Sequence, residues 1–153
     1  MNIIYKKPLL SHLQEMQDLV GDEVKQGLIL PRSPEEMAQN IRSYYLALDN
    51  DKIIGFCALH IYTPRLAEIR SLVVAQDYRN QGIAQGLVAR NIAEGKSLGI
   101  QDFLVLTYRP NLFKRMGFEE IAKEKIPYQK IWMDCVACKH FPTCHEIALL
   151  KTC

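Results

Sequence analysis

The sequence predicts an α/β (α+β) fold in which a mixed central sheet carries helices on both faces. Apolar residues alternate with a period of two in some segments and with a helical period in others, so strands and helices are interspersed along the chain. Some predicted strands are joined by tight turns and others by helices, which favours a sheet with both antiparallel and parallel pairs. The length of 153 residues fits one domain.

The N-terminal third contains one predicted strand and two predicted helices. Residues 3–5 are typical of a short strand. Pro8 begins a helical stretch that Gly21 is expected to end. Ser33 and Pro34 form an N-terminal capping signal, so a second helix is expected to continue to about residue 43.

The rest of the chain alternates between strands and helices. The expected elements, in order, are a hairpin over 44–62, a strand over 67–74, a helix over 82–98, a strand over 102–107, a short helix over 110–117 and two strands within 118–133. Gly99 is expected to end the long helix because glycine is favoured just beyond a helix C-terminus.

Composition excludes several classes of function. Lys and Arg total 19 and Asp and Glu total 17, so the net charge of +2 is too small for a protein that coats nucleic acid. The sequence has no run of 18 apolar residues and no signal peptide at its N-terminus, which predicts a soluble, cytoplasmic protein without a membrane partner.

The loop over residues 79–84 is the most specific feature, because it lies between a predicted strand and a predicted helix. Small residues at Gly82 and Ala84 let a ligand approach the backbone, and the first amides of the helix form an anion site. Arg79 and Gln81 add side-chain donors, so a pyrophosphate is the expected ligand. The loop lacks both the Gly-Lys-Ser/Thr of nucleoside triphosphatases and the G-x-G-x-x-G of dinucleotide folds.

These residues resemble those of the GCN5-related N-acetyltransferase (GNAT) family. Residues 79–84 match its R/Q-x-x-G-x-G/A signature, residues 72–74 its L-x-V strand, and residues 111–118 its second motif, which ends in Gly-Phe. The resemblance covers residues 2–133 and implies that acetyl-CoA is the acetyl donor. It implies the following donor-binding residues: Leu72, Val73, Val74, Arg79, Asn80, Gln81, Gly82, Ile83, Ala84, Asn111 and Phe113.

A narrower resemblance is to the acetyltransferase half of N-acetylglutamate synthases. Residues 27–33 resemble their G-x-L-L-x-R-S segment, and residues 67–74 resemble their A-E-I-R-S-L-x-V strand. Phe113 stands where many GNAT members have a tyrosine that protonates the leaving thiolate. This resemblance implies that the acceptor is L-glutamate, that the product feeds arginine biosynthesis, and that feedback through a kinase-like domain is absent.

An acceptor with two carboxylates and one amine needs cationic side chains and a base. Arg32, Arg70 and Lys130 are the candidate carboxylate partners beside Leu30, and Glu68 is the candidate base. Further candidates are Arg109 for a carboxylate and Tyr108 for the acid, whereas Cys57 is interpreted as a core residue. Arg70 and Lys130 also have a structural interpretation on an exposed face, and Arg32 has one as a partner of its own helix start or of Glu35 or Glu36. Another small amine as acceptor, or a binding module that senses metal or redox state, therefore remains an alternative.

The C-terminal residues 134–153 form a tail rich in Cys and His, which is expected to pack on the acetyltransferase domain of residues 1–133. Cys135, Cys138 and Cys144 are candidate ligands of a structural zinc ion. Their spacing gives only one clean half-site, so reduced thiols are favoured over zinc, and a disulfide or redox role is the third alternative. A homodimer is compatible with the sequence.

Overall fold

The computed structural model describes residues 2–126 and 146–153, which contain the following strands and helices. The strands are β1 (Ile3–Lys6), β2 (Tyr44–Asp49), β3 (Lys52–Ile61), β4 (Leu66–Val74), β5 (Asp102–Thr107), β6 (Glu119–Ile121) and β7 (Ile147–Thr152). The α-helices are α1 (Leu13–Lys25), α2 (Pro34–Gln39), α3 (Ile83–Leu98) and α4 (Asn111–Arg115). Short 3-10 turns occur at Leu10–His12, Ile41–Ser43, Gln76–Tyr78 and Lys123–Lys125.

The strands of the described residues form one mixed sheet in the order β1-β2-β3-β4-β5-β7-β6. The pair β4–β5 is parallel and the other pairs are antiparallel. A parallel pair requires a crossover connection, and α3 provides it between β4 and β5. The predicted mixed sheet is therefore confirmed.

The helices cover both faces of this sheet. Successive strand residues point to opposite faces, so Leu46 and Ala47 of β2 belong to different apolar clusters. Ala47 packs in a cluster with Leu87 of α3, whereas Leu46 packs with Met16 of α1 and Met37 of α2. The expectation of helices on both faces is confirmed, and the two sides are called the α3 face and the α1/α2 face below.

Helix α3 begins and ends at glycines in the left-handed region. Gly82 has φ 83° before its first residue, and Gly99 has φ 100° after its last. Both conformations are unfavourable for residues with a Cβ, which explains why glycine occupies each position. The predicted limits of this helix are confirmed.

Helix α1 differs from its prediction because it continues through Gly21 to Lys25. Its end is instead a Schellman motif at Gly27, which has φ 74°. The Gly27 amide donates to the Val24 carbonyl at 3.1 Å, and the Leu28 amide donates to the Glu23 carbonyl at 2.9 Å. Because Gly21 keeps a helical conformation in the interior of α1, its position alone does not end the helix.

Helix α2 begins where the capping signal predicts and ends earlier than expected. The Ser33 hydroxyl accepts a hydrogen bond from the Glu36 amide at 3.1 Å, and Pro34 is the first helical residue. The helix ends at Gln39, and a 3-10 turn over Ile41–Ser43 connects it to β2.

The described part of the C-terminal segment, residues 146–153, contributes a strand to the same sheet as the rest of the domain. Strand β7 lies between β5 and β6 and pairs with both, so residues 147–152 are internal to the sheet. Leu149 is fully buried in the apolar cluster of the α3 face. Local sequence does not reveal this position, because the strand order depends on pairing with β5 residues 40 to 50 positions earlier.

Residues 127–145 lie outside the described residues, and so does the second strand predicted near residue 133. Within residues 2–126 and 146–153, no helix is both long enough and apolar enough to cross a membrane.

Replacing Leu149 tests whether β7 contributes to the core. Leu149→Ala is expected to lower the free energy of unfolding by about 2–5 kcal/mol, because it leaves a cavity beside buried side chains. Chemical denaturation followed by circular dichroism measures this change. Leu98→Ala is the matched control, because Leu98 is 62% exposed and its truncation is expected to cost less than about 0.5 kcal/mol. Equal effects of the two changes would contradict a core position for β7.

Candidate active site

The main cavity forms where β4 and β5 separate. The two strands pair at Leu66, Ala67 and Glu68, and the register ends there. Beyond this point a cavity of about 570 Å³ is lined by residues 68–74 of β4 and by residues 105–109. Strand edges that are not paired with each other present backbone donors and acceptors to a ligand. The opening between β4 and β5 therefore suits an extended ligand that forms hydrogen bonds with the strand backbone, as an additional strand would.

A β-bulge bends β4 along this cavity. Phe56 pairs with Val73 and Ala58 pairs with Arg70, so Cys57 alone opposes two residues of β4. One of these, Ser71, has φ 57°, which is uncommon for a residue with a side chain. A bulge of this kind increases the local bend of a strand and redirects its backbone groups. It lies at the point where β4 turns away from β5.

The predicted anion loop lies at one end of the cavity. Asn80 has φ 62° and Gly82 has φ 83°, so the chain turns sharply before α3. The Gly86 amide donates to the Gly82 carbonyl at 3.0 Å, and the amides that precede Gly86 form the open N-terminus of the helix. Ile83 and Ala84 both line the cavity. The positive end of this 16-residue helix therefore faces the cavity.

Arg79 lines the same end of the cavity and contacts two other elements. Its Nε donates to the Val74 carbonyl at 3.1 Å, and its Nη2 donates to Glu23 Oε1 of α1 at 2.9 Å. These contacts fix the guanidinium beside the loop. The pairing with Glu23 also joins the loop to the end of α1.

Glu68 lies at the point where the two strands separate. It is 2% exposed and belongs to the cavity lining. Tyr62 Oη donates a hydrogen bond of 2.7 Å to Glu68 Oε1. Ile69 packs in the cluster of the α3 face, so Glu68 and Arg70 on either side of it point to the α1/α2 face. A buried carboxylate and an arginine therefore share one face beside the cavity.

The segment before α2 brings a second arginine to this region. The Arg32 side chain is 12% exposed and its Nη1 contacts Glu36 Oε2 at 3.0 Å. Burial raises the pKa of Tyr44, and the positive charges of Arg32 and Arg70 act in the opposite direction. The charges of both guanidinium groups therefore lower the pKa of the same phenol, that of Tyr44. Both arginines also line the main cavity.

Phe113 of α4 closes the other side of the cavity. It is 4% exposed, and its ring packs edge-on against Phe118 with a centroid distance of 5.4 Å. A side chain without a hydroxyl cannot donate a proton, which agrees with the sequence interpretation of this position. Tyr108 and Arg109 also line the cavity.

Cys57 is a core residue, as predicted. Its side chain is fully buried, and burial raises the pKa of its thiol to about 12. Its Sγ lies 3.6 Å from the Arg70 carbonyl, beside the bulge. A thiol that stays protonated at neutral pH is a poor nucleophile, so Cys57 contributes to packing.

Comparison with known proteins identifies the family. The acetyltransferase (GNAT) family model matches residues 13–118. The chain belongs to the GNAT family. Members of this family transfer an acetyl group from acetyl-CoA to an amine, and the chain is an N-acetyltransferase of this kind.

Two relatives are similar to this chain in sequence, at different levels of identity. The chain is 44% identical over 127 residues to an uncharacterised N-acetyltransferase of Chlorobaculum tepidum, and the match covers 83% of this chain and 81% of that protein. It is 30% identical over 115 residues to an amino-acid acetyltransferase of Vibrio atlanticus, and that match covers 74% of this chain. The matched region is only 26% of the length of the Vibrio protein.

Two solved structures have the same fold as this chain. The N-acetylglutamate synthase of Neisseria gonorrhoeae, complexed with coenzyme A and N-acetylglutamate, superimposes with a TM-score of 0.87 at 17% identity and covers 99% of this chain and 35% of that one. A Mycobacterium tuberculosis protein, solved with CoA and a second ligand, superimposes with a TM-score of 0.84 at 21% identity and covers 98% and 99% of the two chains.

Most of the residues singled out by the sequence line the cavity of this GNAT domain. Those in its lining are Leu30, Arg32, Glu68, Arg70, Leu72, Val73, Val74, Arg79, Asn80, Gly82, Ile83, Ala84 and Phe113. Gln81 and Asn111 are exposed and outside this lining, and Gln81 Nε2 donates to the Asp77 carbonyl at 3.2 Å. Their predicted roles stay predictions.

The remaining candidates lie outside the described residues. These are Lys130 and the cysteines Cys135, Cys138 and Cys144. Among the residues that the structure does describe, no three His, Cys, Asp or Glu side chains form a group that could hold a metal ion. Zinc binding by these cysteines stays a prediction beside the favoured reduced thiols.

Sequence reasoning missed several polar residues around the GNAT cavity. Tyr62 directly follows β3 and Tyr44 begins β2, and both lie beside the charged residues of the site. Glu23 and Tyr78 line the cavity from other elements. Tyr78 Oη donates to Asp49 Oδ2 at 2.7 Å, which connects the start of the anion loop to the β2–β3 turn. No motif marks these residues, because only the side-chain partners that each one finds in the fold show its relation to the site.

Alkylation of the native protein tests the assignment of Cys57 to the core. Iodoacetamide at pH 8 is expected to label Cys153, which is exposed, and to leave Cys57 unlabelled until the protein is denatured. The reason is that burial removes access and the raised pKa removes the thiolate. Peptide mass spectrometry measures the two sites in the same sample, so Cys153 is the internal control. Rapid native labelling of Cys57 would contradict its core position.

Proposed function

We propose that this GNAT enzyme transfers the acetyl group of acetyl-CoA to the α-amine of L-glutamate. The observation that carries the proposal is the arrangement of Arg32 and Arg70 around a cavity that also contains the buried Glu68. Glutamate needs two cationic partners for its carboxylates and one base for its ammonium group. The Vibrio relative named amino-acid acetyltransferase supports an amino acid as the acceptor.

The donor site of the proposal is the anion loop. The pyrophosphate of acetyl-CoA accepts hydrogen bonds from the amides of residues 82–84 and from Arg79, where the positive end of α3 favours negative charge. Asn80 holds the turn before the helix. Gln81, Asn111 and Phe113 stay in the proposal on the family resemblance, with Phe113 as an apolar wall.

The pantetheine arm lies along residues 72–74, between the separated strands. Amide groups of the arm pair with the backbone of β4 because β5 does not pair there. A backbone amide in this stretch donates to the thioester carbonyl and stabilises the negative charge that develops on its oxygen. The bulge at Ser71 directs the backbone of β4 into the cavity.

The acceptor site of the proposal lies on the α1/α2 face. Arg32 and Arg70 bind the two carboxylates, and Leu30 contacts the aliphatic chain. Lys130 is a further candidate partner for a carboxylate, on the ground of the sequence alone. Glu68 takes the proton of the ammonium group, and the amine then attacks the thioester carbon directly. The C–S bond breaks in the collapse of the tetrahedral intermediate. Tyr108 is the candidate acid, although a thiolate can leave without one.

An amino acid with one carboxylate is the second candidate acceptor. Arg32 contacts Glu36 at 3.0 Å, so part of its charge is already compensated. A neutral amide in the acceptor side chain would fit such a position with a smaller desolvation penalty than a carboxylate. L-Glutamine is the acceptor that distinguishes this candidate from the first.

Steady-state release of CoA thiol with a panel of amines tests the function. The panel contains L-glutamate, D-glutamate, L-aspartate, L-glutamine, spermidine and a lysine peptide. The highest kcat/KM is expected with L-glutamate. Higher kcat/KM with L-glutamine would favour the second candidate, and turnover only with spermidine or the peptide would overturn both.

Arg32→Ala tests the role of Arg32 in binding the acceptor. It is expected to raise the KM for L-glutamate by about 10–100-fold, because a charge-assisted bond contributes about 1.5–3 kcal/mol, while the KM for acetyl-CoA changes by less than about twofold. Arg42→Ala is the matched control, because Arg42 is exposed and outside the cavity. Equal changes in both KM values would argue against a role of Arg32 in acceptor binding.

Gly82→Ala tests the donor site. A Cβ at φ 83° is unfavourable by about 1–2 kcal/mol, and the relaxation of this strain is expected to move the first amides of α3. The dissociation constant of CoA, measured by isothermal titration calorimetry, should rise about tenfold, equivalent to the loss of one charge-assisted hydrogen bond. Gly99→Ala carries the same strain at the other end of α3, so it should lower stability similarly and leave CoA affinity unchanged. An unchanged CoA affinity of Gly82→Ala would contradict the proposal that this loop binds the donor.

The role in arginine biosynthesis and the cytoplasmic location follow from the sequence and the glutamate proposal. They stay predictions, as does the homodimer.

A further inference from the structure

The proposed reaction releases one proton in each turnover. The reactants are an ammonium ion and acetyl-CoA, and the products are an amide, the CoA thiol and a proton that must reach solvent. Glu68 receives this proton in the proposed function, yet it is 2% exposed. During turnover the donor and the acceptor occupy the cavity beside it. A second route from Glu68 to solvent would allow the base to be regenerated while the cavity is full.

Tyr62 lies at the position that such a route requires. Its hydroxyl is 2.7 Å from Glu68 Oε1, and Tyr62 is not part of the cavity lining. The tyrosine is half-buried, whereas Glu68 is buried. Tyr62 therefore connects the carboxylate with a partly exposed position outside the cavity lining.

The conformation of Tyr62 is fixed by neighbouring groups. Its amide donates to the Leu66 carbonyl at 2.9 Å, which closes the turn between β3 and β4. Its ring packs edge-on against His60, with a centroid distance of 4.8 Å and an interplanar angle of 74°. His60 is the direct cross-strand partner of Glu68, so the three side chains form one group on the α1/α2 face.

We propose that Tyr62 is a positioning residue that orients the carboxylate of Glu68 and carries its proton to solvent. This inference rests on the proposed function, in which Glu68 is the base. First, an N–H bond of the acceptor ammonium breaks and an O–H bond forms on Glu68. The Tyr62 hydroxyl, which donates to the unprotonated carboxylate, first rotates so that Tyr62 Oη accepts a hydrogen bond from protonated Glu68. The Glu68 proton then passes to Tyr62 Oη as the hydroxyl proton of Tyr62 passes to a solvent water molecule. Glu68 returns to the carboxylate and Tyr62 returns to the neutral phenol. No group is oxidised or reduced in this transfer.

Tyr62→Phe tests this role, because it removes the hydroxyl and keeps the ring that contacts His60. The kcat with L-glutamate is expected to fall about tenfold, with both KM values within about twofold of the wild type. Imidazole, a small proton carrier, should restore part of the kcat of Tyr62→Phe as its concentration rises at constant pH and ionic strength. It should leave the wild type unchanged. An unchanged kcat, or a lowered kcat that imidazole does not restore, would overturn the proposal.

A double-mutant cycle separates this role from a structural one. If Tyr62 acts through Glu68, Tyr62→Phe should have almost no further effect on kcat in a Glu68→Gln background. Additive losses would show that Tyr62 acts independently of Glu68 and would overturn the proposal.

Tyr45→Phe is the matched control, because Tyr45 of β2 contacts Lys7 through its ring and lies outside the cavity. It should keep the wild-type kcat and the same lack of response to imidazole. Circular dichroism and thermal unfolding verify that each variant is folded. If the wild type acetylates none of the amines in the panel, the proposed function fails. If the wild type is active and Tyr62→Phe equals it, only the present inference fails.

Discussion

The separation of β4 from β5 after Glu68 is the feature on which the rest of the site depends. The two strands pair over Leu66, Ala67 and Glu68, which holds the sheet together, and then leave their backbone groups to a ligand. Because buried backbone groups need partners, such an opening is stable only where a ligand or water can satisfy them. The bulge at Ser71 bends β4, and Gly55 of β3 lies close to the Val73 carbonyl of the bent strand. A Cβ added at Gly55 would lie 2.9 Å from that oxygen.

Helix α1 connects the two ends of the cavity. The Glu23 carbonyl accepts the Leu28 and Ile29 amides, at 2.9 and 3.3 Å, and so holds the segment that leads to Arg32. The Glu23 side chain pairs with Arg79 beside the anion loop. One residue at the end of α1 therefore contacts both the proposed acceptor segment and the proposed donor loop. A movement of the helix would affect the two sites together.

The two faces of the sheet have different chemical character at the site. The α3 face is apolar behind the cavity and includes Ile69 and Cys57. The α1/α2 face carries Glu68, Arg70 and Tyr44 beside an apolar cluster formed with α1 and α2. Because strand residues alternate, a single strand supplies both the core and the charged groups. The polar groups thus lie on a rigid part of the sheet, which favours a fixed geometry for proton transfer.

The sequence by itself determined the features that depend on neighbouring residues. The limits of α3, the cap at Ser33 and the anion loop follow from local backbone preferences, and the family signature lies within one strand–loop–helix unit. The tertiary structure decided the features that depend on distant contacts. These include the insertion of β7 between β5 and β6, the pairing of Arg79 with Glu23 and the contact of Tyr78 with Asp49. Strand order and side-chain partners are set by burial across the whole sheet, and a local pattern contains no information about which distant residue lies opposite.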